Sequence, residues 1–221
     1  METNREIISV AGGKGGTGKS FITANLGIAL AIMGYKVVTV DADLGSPNLH
    51  NFLQVKRPNL SLTNFFLKEN RDLNEIKVKT PVENLSLIAC GSAIFGVPNL
   101  PYFKKMEFIR KIKKIEADYI IVDLGGGTGF NVLDFFNLSN NGIIVVNPEP
   151  NSRQDSVVFL KNALFRKILN TIKLNKDVFS EIKKDIKKDP RKAFNINNIL
   201  LWVIENSKEM AEILRKLLLE Y

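Results

Sequence analysis

Gly12-Gly13-Lys14-Gly15-Gly16-Thr17-Gly18-Lys19-Ser20 follows the apolar run 7–10 and precedes a helix-like run over 21–33. Gly13, Gly18, Lys19 and Ser20 stand at the spacing G-x-x-x-x-G-K-[ST], in the strand–loop–helix setting that a phosphate-binding loop requires. Glycines let successive backbone N–H groups turn inward around phosphates, so Gly13, Gly15, Gly16, Thr17 and Gly18 are candidate phosphate-binding residues. Lys19 can reach the β and γ oxygens of a nucleotide, and the Ser20 hydroxyl can ligate Mg²⁺. The following helix turns its positive dipole end toward the anion. A glycine-rich turn alone makes only a loop; Lys-Ser at this offset behind a strand gives it chemistry.

Outward from the loop, the next apolar run ends in Asp41-Ala42-Asp43-Leu44-Gly45. Two carboxylates at i and i+2 at the end of a strand point the same way, into the crevice where open α/β sheets bind ligands. Asp43 is the candidate for orienting an attacking water, and Asp41 would support Mg²⁺ or the geometry of the loop. Asp-x-Asp-x-Gly also makes good turns, which is the bland alternative. Further on, Tyr119-Ile120-Ile121-Val122-Asp123 delivers an aspartate at a strand end, as a Mg²⁺ site needs. The glycines 125–127 and 129 after it permit close backbone approach to a γ-phosphate and a nucleotide-sensitive switch.

An ordinary phosphate loop has no need of Lys14. With it, residues 14–20 read Lys-Gly-Gly-Thr-Gly-Lys-Ser and resemble the deviant phosphate loop of the MinD/ParA family of ATPases. The resemblance continues in the D-x-D-x-G-x-x-N-L pattern of residues 41–49 and in Val146-Asn147-Pro148-Glu149-Pro150, and runs from about residue 5 to about residue 169. Pro47 and His50 look more like the flagellar-number-regulator or orphan branch than the cell-division branch; His50 itself reads as a loop residue rather than a metal ligand. The resemblance implies an ATP-dependent switch that binds Mg·ATP and forms an ATP-dependent homodimer. By the same resemblance Lys14 reaches the phosphates bound by the partner subunit, a catalytic role alongside Asp43. Nitrogenase-type iron proteins share the loop but need paired cysteines, and Cys90 is alone.

The rest of the chain supplies the frame. Its 221 residues, with 45% apolar and 24% charged, suit a globular protein with a full core. The single cysteine rules out a disulfide framework within the chain and points to a reducing cytoplasm. No apolar run approaches a membrane span of about 20 residues, and residues 1–5 are polar rather than a signal peptide. The net charge of +8 permits attraction to DNA or to an anionic membrane face and identifies neither. Candidate strands at 6–11, 36–41, 85–89, 119–123 and 142–147 alternate with helical patterns at 19–33, 102–114, 130–138 and 152–169. That alternation predicts an α/β, three-layer P-loop NTPase fold with a mostly parallel sheet.

Residues 56–79 read as one helix with flanking loops, and 91–101 as a Gly/Pro-bearing loop. The run 102–114 interleaves Lys104, Lys105, Arg110, Lys111, Lys113 and Lys114 with an apolar stripe, predicting a solvated basic face that a protein partner, acidic membrane or DNA could use. Residues 1–169 are expected to form the ATPase core and 170–221 a helical extension broken at Asp189-Pro190. Residues 199–204 fit a buried strand or a helix, with helix preferred. The family's adenine-contacting strand has no counterpart in the sequence, so either the chain is shortened or 199–204 replaces that strand. Two other readings follow: a nucleotide-binding or scaffolding remnant without turnover, and a tyrosine kinase on the same loop, disfavoured by a tail with Tyr221 alone. The last helical pattern, 208–221, is amphipathic enough to pack on its own protein or to lie on a membrane, though Glu209, Glu212 and Glu220 dilute its charge.

Overall fold

A computed structural model describes residues 5–56, 59–67, 72–91, 100–139, 141–188 and 195–220. In chain order its elements begin β1 (Glu6–Ala11), α1 (Lys19–Ile32), β2 (Val37–Ala42), α2 (Leu49–Phe52) and α3 (Leu62–Leu67). A 3-10 turn (Leu73–Ile76), β3 (Val78–Lys79), β4 (Leu85–Ile88), α4 (Tyr102–Ile112), β5 (Tyr119–Leu124), α5 (Phe130–Phe136) and β6 (Asn141–Ile144) follow. The chain then continues as α6 (Pro150–Leu174), α7 (Lys176–Lys188), α8 (Ile196–Asn206) and α9 (Lys208–Glu220).

The sheet runs β3-β4-β2-β5-β1-β6, parallel except where β3 pairs antiparallel with β4. Its central strands are continuous apolar runs because helices cover both faces; all six residues of β2 are buried. On one face α1 packs through Gly27, where a Cβ would stand 2.9 Å from Thr39 Cγ2. Ala24, Ala31, Leu85 and Ile121 fill the same layer. Gly34, at φ +92°, closes α1 by donating to Ala31, while Tyr35 donates to Leu30. An aromatic cluster of Phe65, Phe66, Phe108 and Phe135 forms a second part of the core, with the Phe108 and Phe135 rings 4.9 Å apart. The register sets Asp41 of β2 opposite Asp123 of β5, and Val10 of β1 opposite the same Asp123. The loops after β1, β2 and β5 therefore leave the sheet side by side.

The chain divides into two compact units, residues 1–160 and 161–221. The second has its own core of Ile168 and Ile172 from α6, Ile182 from α7, Ile199 and Val203 from α8, and Met210 and Leu214 from α9. Asn195 caps α8 by accepting from the amides of Asn197 and Asn198 at 2.8 and 3.2 Å. Residues 199–204 are thus helical.

Several local expectations change. β6 ends at Ile144 rather than 147, because the Asn147 amide is taken by the Ser152 hydroxyl at 3.1 Å instead of a neighbouring strand. The helical extension expected over 170–221 is interrupted earlier than 189–190: Asn175 separates α6 from α7, and its side-chain oxygen accepts from the Val178 amide at 3.1 Å, capping α7. Residues 56–79 hold a 3-10 turn and the edge strand β3 besides α3. His50 lies buried on the short helix α2 rather than in a loop. Most of the loop expected at 91–101, the break expected at 189–190 and Tyr221 lie outside the described residues.

Candidate functional site

The phosphate loop is built by close backbone contacts. Gly18, at φ +96°, occupies the N-cap of α1 in a left-handed conformation, and its carbonyl accepts the first helical bond from Ile22 at 3.0 Å. A Cβ at Gly13 would stand 2.4 Å from the Asp155 carbonyl carbon, so only glycine allows α6 to seat against the loop. On the other side Gly126 approaches Lys14 and Gly15 so closely that its Cβ would meet the Gly15 nitrogen at 2.7 Å. The Gly127 amide donates to the Gly12 carbonyl at 3.4 Å. Gly15 is exposed and Gly16 takes φ +76°, while Thr17 and Lys19 are buried. The loop is thus held between the segment after β5 and the start of α6, with its amides at the amino end of α1.

Lys19 folds over this loop and donates to the Lys14 carbonyl at 3.3 Å. Beneath it Asp123 is 1% exposed. Its Oδ1 accepts from the Thr23 hydroxyl at 3.3 Å, and its Oδ2 has no hydrogen-bond partner among the described residues. Burial pushes the Asp123 carboxyl up to about 6, against the Ser20 hydroxyl, the Lys19 ammonium and the Thr23 hydroxyl, which favour its charged form. Asp41 is pushed up to about 7, first by burial and then by the neighbouring Asp123 carboxylate. Its two oxygens accept from the amides of Asp43 at 3.2 Å and Leu49 at 3.1 Å, so Asp41 ties down the turn after β2 and starts α2.

Asp43 accepts from the amides of Gly45 and Ser46 at 3.1 and 2.9 Å, the self-bonded turn anticipated for this pattern. It also faces the loop after β5: a Cβ at Gly125 would lie 3.2 Å from Asp43 Oδ1. A cavity of about 460 Å³ opens between these two segments, walled by Leu44, Leu100 and Phe135. Lys14 is half-buried, and its ammonium pairs with Glu149 at 2.8 Å.

This geometry suits a nucleotide with a divalent cation. Among the described residues, Asp123 offers a buried oxygen without a hydrogen-bond partner beside Ser20, and the buried Thr17 Oγ1 likewise has none. Among the described residues no group of three or more His, Cys, Asp or Glu side chains forms a metal cage. A cation here would take phosphate oxygens as further ligands.

The sequence-predicted residues 13–20, 41, 43 and 123 converge on one end of the sheet. Two participants were not anticipated in a role. Glu149 was visible only as part of a Pro-Glu-Pro turn, and its pairing with Lys14 spans 135 positions. Lys105, expected on a solvated basic face, is 5% exposed and forms a buried ion pair with Asp134 of α5. Of its neighbours, Lys111 pairs with Glu107 at 3.3 Å and lies over the Phe65 ring. No helix among the described residues is long and apolar enough to cross a membrane.

Comparison with known proteins finds a match over residues 3–172 to the family model described as ParA, NUBPL iron-transfer P-loop NTPase. The flagellum site-determining protein YlxH of Helicobacter pylori is 36% identical over 163 residues, covering 72% of this chain and 53% of that protein. The septum site-determining protein MinD of the same organism is 30% identical over 151 residues, covering 68% of this chain and 56% of its own length. Among solved structures, septum site-determining MinD of Pyrococcus horikoshii OT3, complexed with Mg-ADP, superposes with a TM-score of 0.62 at 32% identity, covering 72% of this chain and 66% of that one. The chain spans about half the length of the curated relatives it matches.

Proposed function

This chain belongs to the ParA/MinD family of P-loop NTPases, and from that membership we propose that it is a dimeric ATP-dependent switch that hydrolyses ATP slowly to ADP and phosphate. The observation that carries this reading is the Asp123 oxygen buried beside Ser20 and Lys19 under the phosphate loop, without a hydrogen-bond partner among the described residues. Backbone amides of residues 13–18 and the Lys19 ammonium would bind the phosphates. Ser20 and Asp123 would hold Mg²⁺, which when bound neutralises phosphate charge. Asp43, facing Gly125, would orient the attacking water. Lys14 would leave its own subunit's loop to contact phosphates held by a second copy, supplying charge in the transition state as an arginine finger does.

The process served is spatial regulation, in which the dimer engages a protein partner and a membrane or DNA surface only with ATP bound. The named roles of YlxH and MinD in siting flagella and septa support this reading. The place of action is the cytoplasm, including the inner face of its membrane. Residues 1–169 would act as the ATPase core and 170–221 as a helical extension. A second reading, nucleotide binding without turnover, is favoured by the run α6 to α9, since no strand follows β6 among the described residues.

Mg²⁺-dependent phosphate release and sedimentation with and without ATP separate the two. Lys14→Ala is expected to retain nucleotide binding, lose ATP-dependent dimerisation and slow turnover by on the order of 10³-fold or more. Undiminished hydrolysis in that variant would sink the proposal that the lysine acts in trans.

A further inference from the structure

The exposed contact between Lys14 and Glu149 sits at the one loop residue that an ordinary phosphate site does not use. Both backbones are fixed. Lys14 is held by the approach of Gly126, and the next glycine back, Gly13, is seated against Asp155. Glu149 lies between Pro148 and Pro150, its carbonyl accepts the opening bond of α6 from Arg153 at 3.1 Å, and the Asn147 amide before it is tied to Ser152. With both anchor points set, the side chains meet at 2.8 Å, and the ammonium holds the Glu149 carboxyl below its ordinary range. The Lys14 side chain is 35% exposed and that of Glu149 63%, so water reaches the pair and can part it.

We infer that Glu149 is a positioning residue that parks Lys14 in its own subunit, and that the ATP-bound dimer forms only by exchanging this carboxylate for phosphates of the second copy. The inference rests on the reading of Lys14 as a group acting in trans. A lysine cannot serve both anions from one position, so the pair in cis competes directly with the contact in trans. The multiply charged phosphates are the stronger partner, and the carboxylate is the cheaper one to leave because it stays in water. Glu149 thereby sets how much ATP-loaded protein is needed before subunits associate, and it holds Lys14 away from the nucleotide bound in its own loop.

Exposed ion pairs of this kind shift an equilibrium by roughly 1.4- to 5-fold, and a dimer must open two of them. Glu149→Gln is therefore expected to tighten self-association in a non-hydrolysable ATP analogue with Mg²⁺ by about 2- to 25-fold, measured by sedimentation velocity on the full chain. Freed of its counterion, Lys14 of the nucleotide-free variant is also expected to react faster with an amine-acylating reagent, read by mass spectrometry. Glu149→Asp, which keeps the charge, should fall between the variant and the parent.

Unchanged or weaker association in Glu149→Gln, with Lys14→Ala still abolishing it, overturns the latch and leaves the trans-lysine reading intact. Tighter association without faster labelling of Lys14 also overturns the latch. Parent-like association and turnover in Lys14→Ala removes the reading on which it rests.

Discussion

Asp41 couples the chemistry of the site to the stability of the chain. Its carboxyl, pushed up to about 7 by burial and by Asp123, is far above the ordinary value near 3.8 that it has in the unfolded chain. The folded chain therefore holds a proton there that the unfolded chain has released. This contribution to stability is complete below about pH 4 and is lost as the pH rises through about 7. Urea unfolding of the nucleotide-free protein is expected to show stability falling between pH 4.5 and 7.5 by on the order of a few kcal/mol. Asp41→Asn should flatten that slope while lowering stability at acid pH, because a single amide oxygen cannot accept from both Asp43 and Leu49. Parallel slopes in the two proteins would mean that another group is responsible. Asp41 and Asp123 were identifiable from the sequence as strand-end carboxylates. Their confrontation across the ladder was not, since it depends on the register of β2 with β5.

Among the elements, α4 departs most from its sequence pattern. Its alternation of lysines with apolar residues looks like a solvated basic face, yet Lys105 turns inward to pair with Asp134 of α5, both about 5% exposed. Removing one member of a buried pair leaves a stranded charge and costs about 3–5 kcal/mol, whereas replacing both with apolar residues of similar size is close to neutral. Lys105→Met is accordingly expected to lower the unfolding free energy by that amount, and Lys105→Met with Asp134→Leu to recover most of it, in guanidinium titrations. A double variant as unstable as the single one would show that the polar contacts, rather than the charge balance, hold α4 to α5. No spacing rule could have found this pair. Twenty-nine positions separate the two residues in sequence (134 − 105), and they are paired by the packing around Phe108 and Phe135.

At the scale of the molecule, the chain combines a sheet-based unit with a helical one of residues 161–221 that has its own apolar core. Ile172 is fully buried in that second core, so Ile172→Ala should cost about 2–5 kcal/mol there. Hydrogen exchange is expected to report the loss in amides of α7, α8 and α9, with those of β1, β2 and β5 retaining their protection. Equal loss in the sheet would show that the two units unfold together. The sequence by itself determined the order of the five parallel strands, the phosphate loop and the aspartates at the strand ends, because these rest on short-range periodicity and on spacings within one loop, whereas the two-residue edge strand β3 and the four-residue helix α2 are too short to leave a periodic signal. Only the tertiary structure decided which charges face one another. Asp41 against Asp123, Lys105 with Asp134 and Lys14 with Glu149 each join residues distant in sequence, and their meeting depends on strand register and helix seating that no local pattern encodes. The loop over residues 12–20 is therefore legible as a phosphate site from its own residues, while the restraint on its extra lysine comes from a segment 135 positions further along the chain.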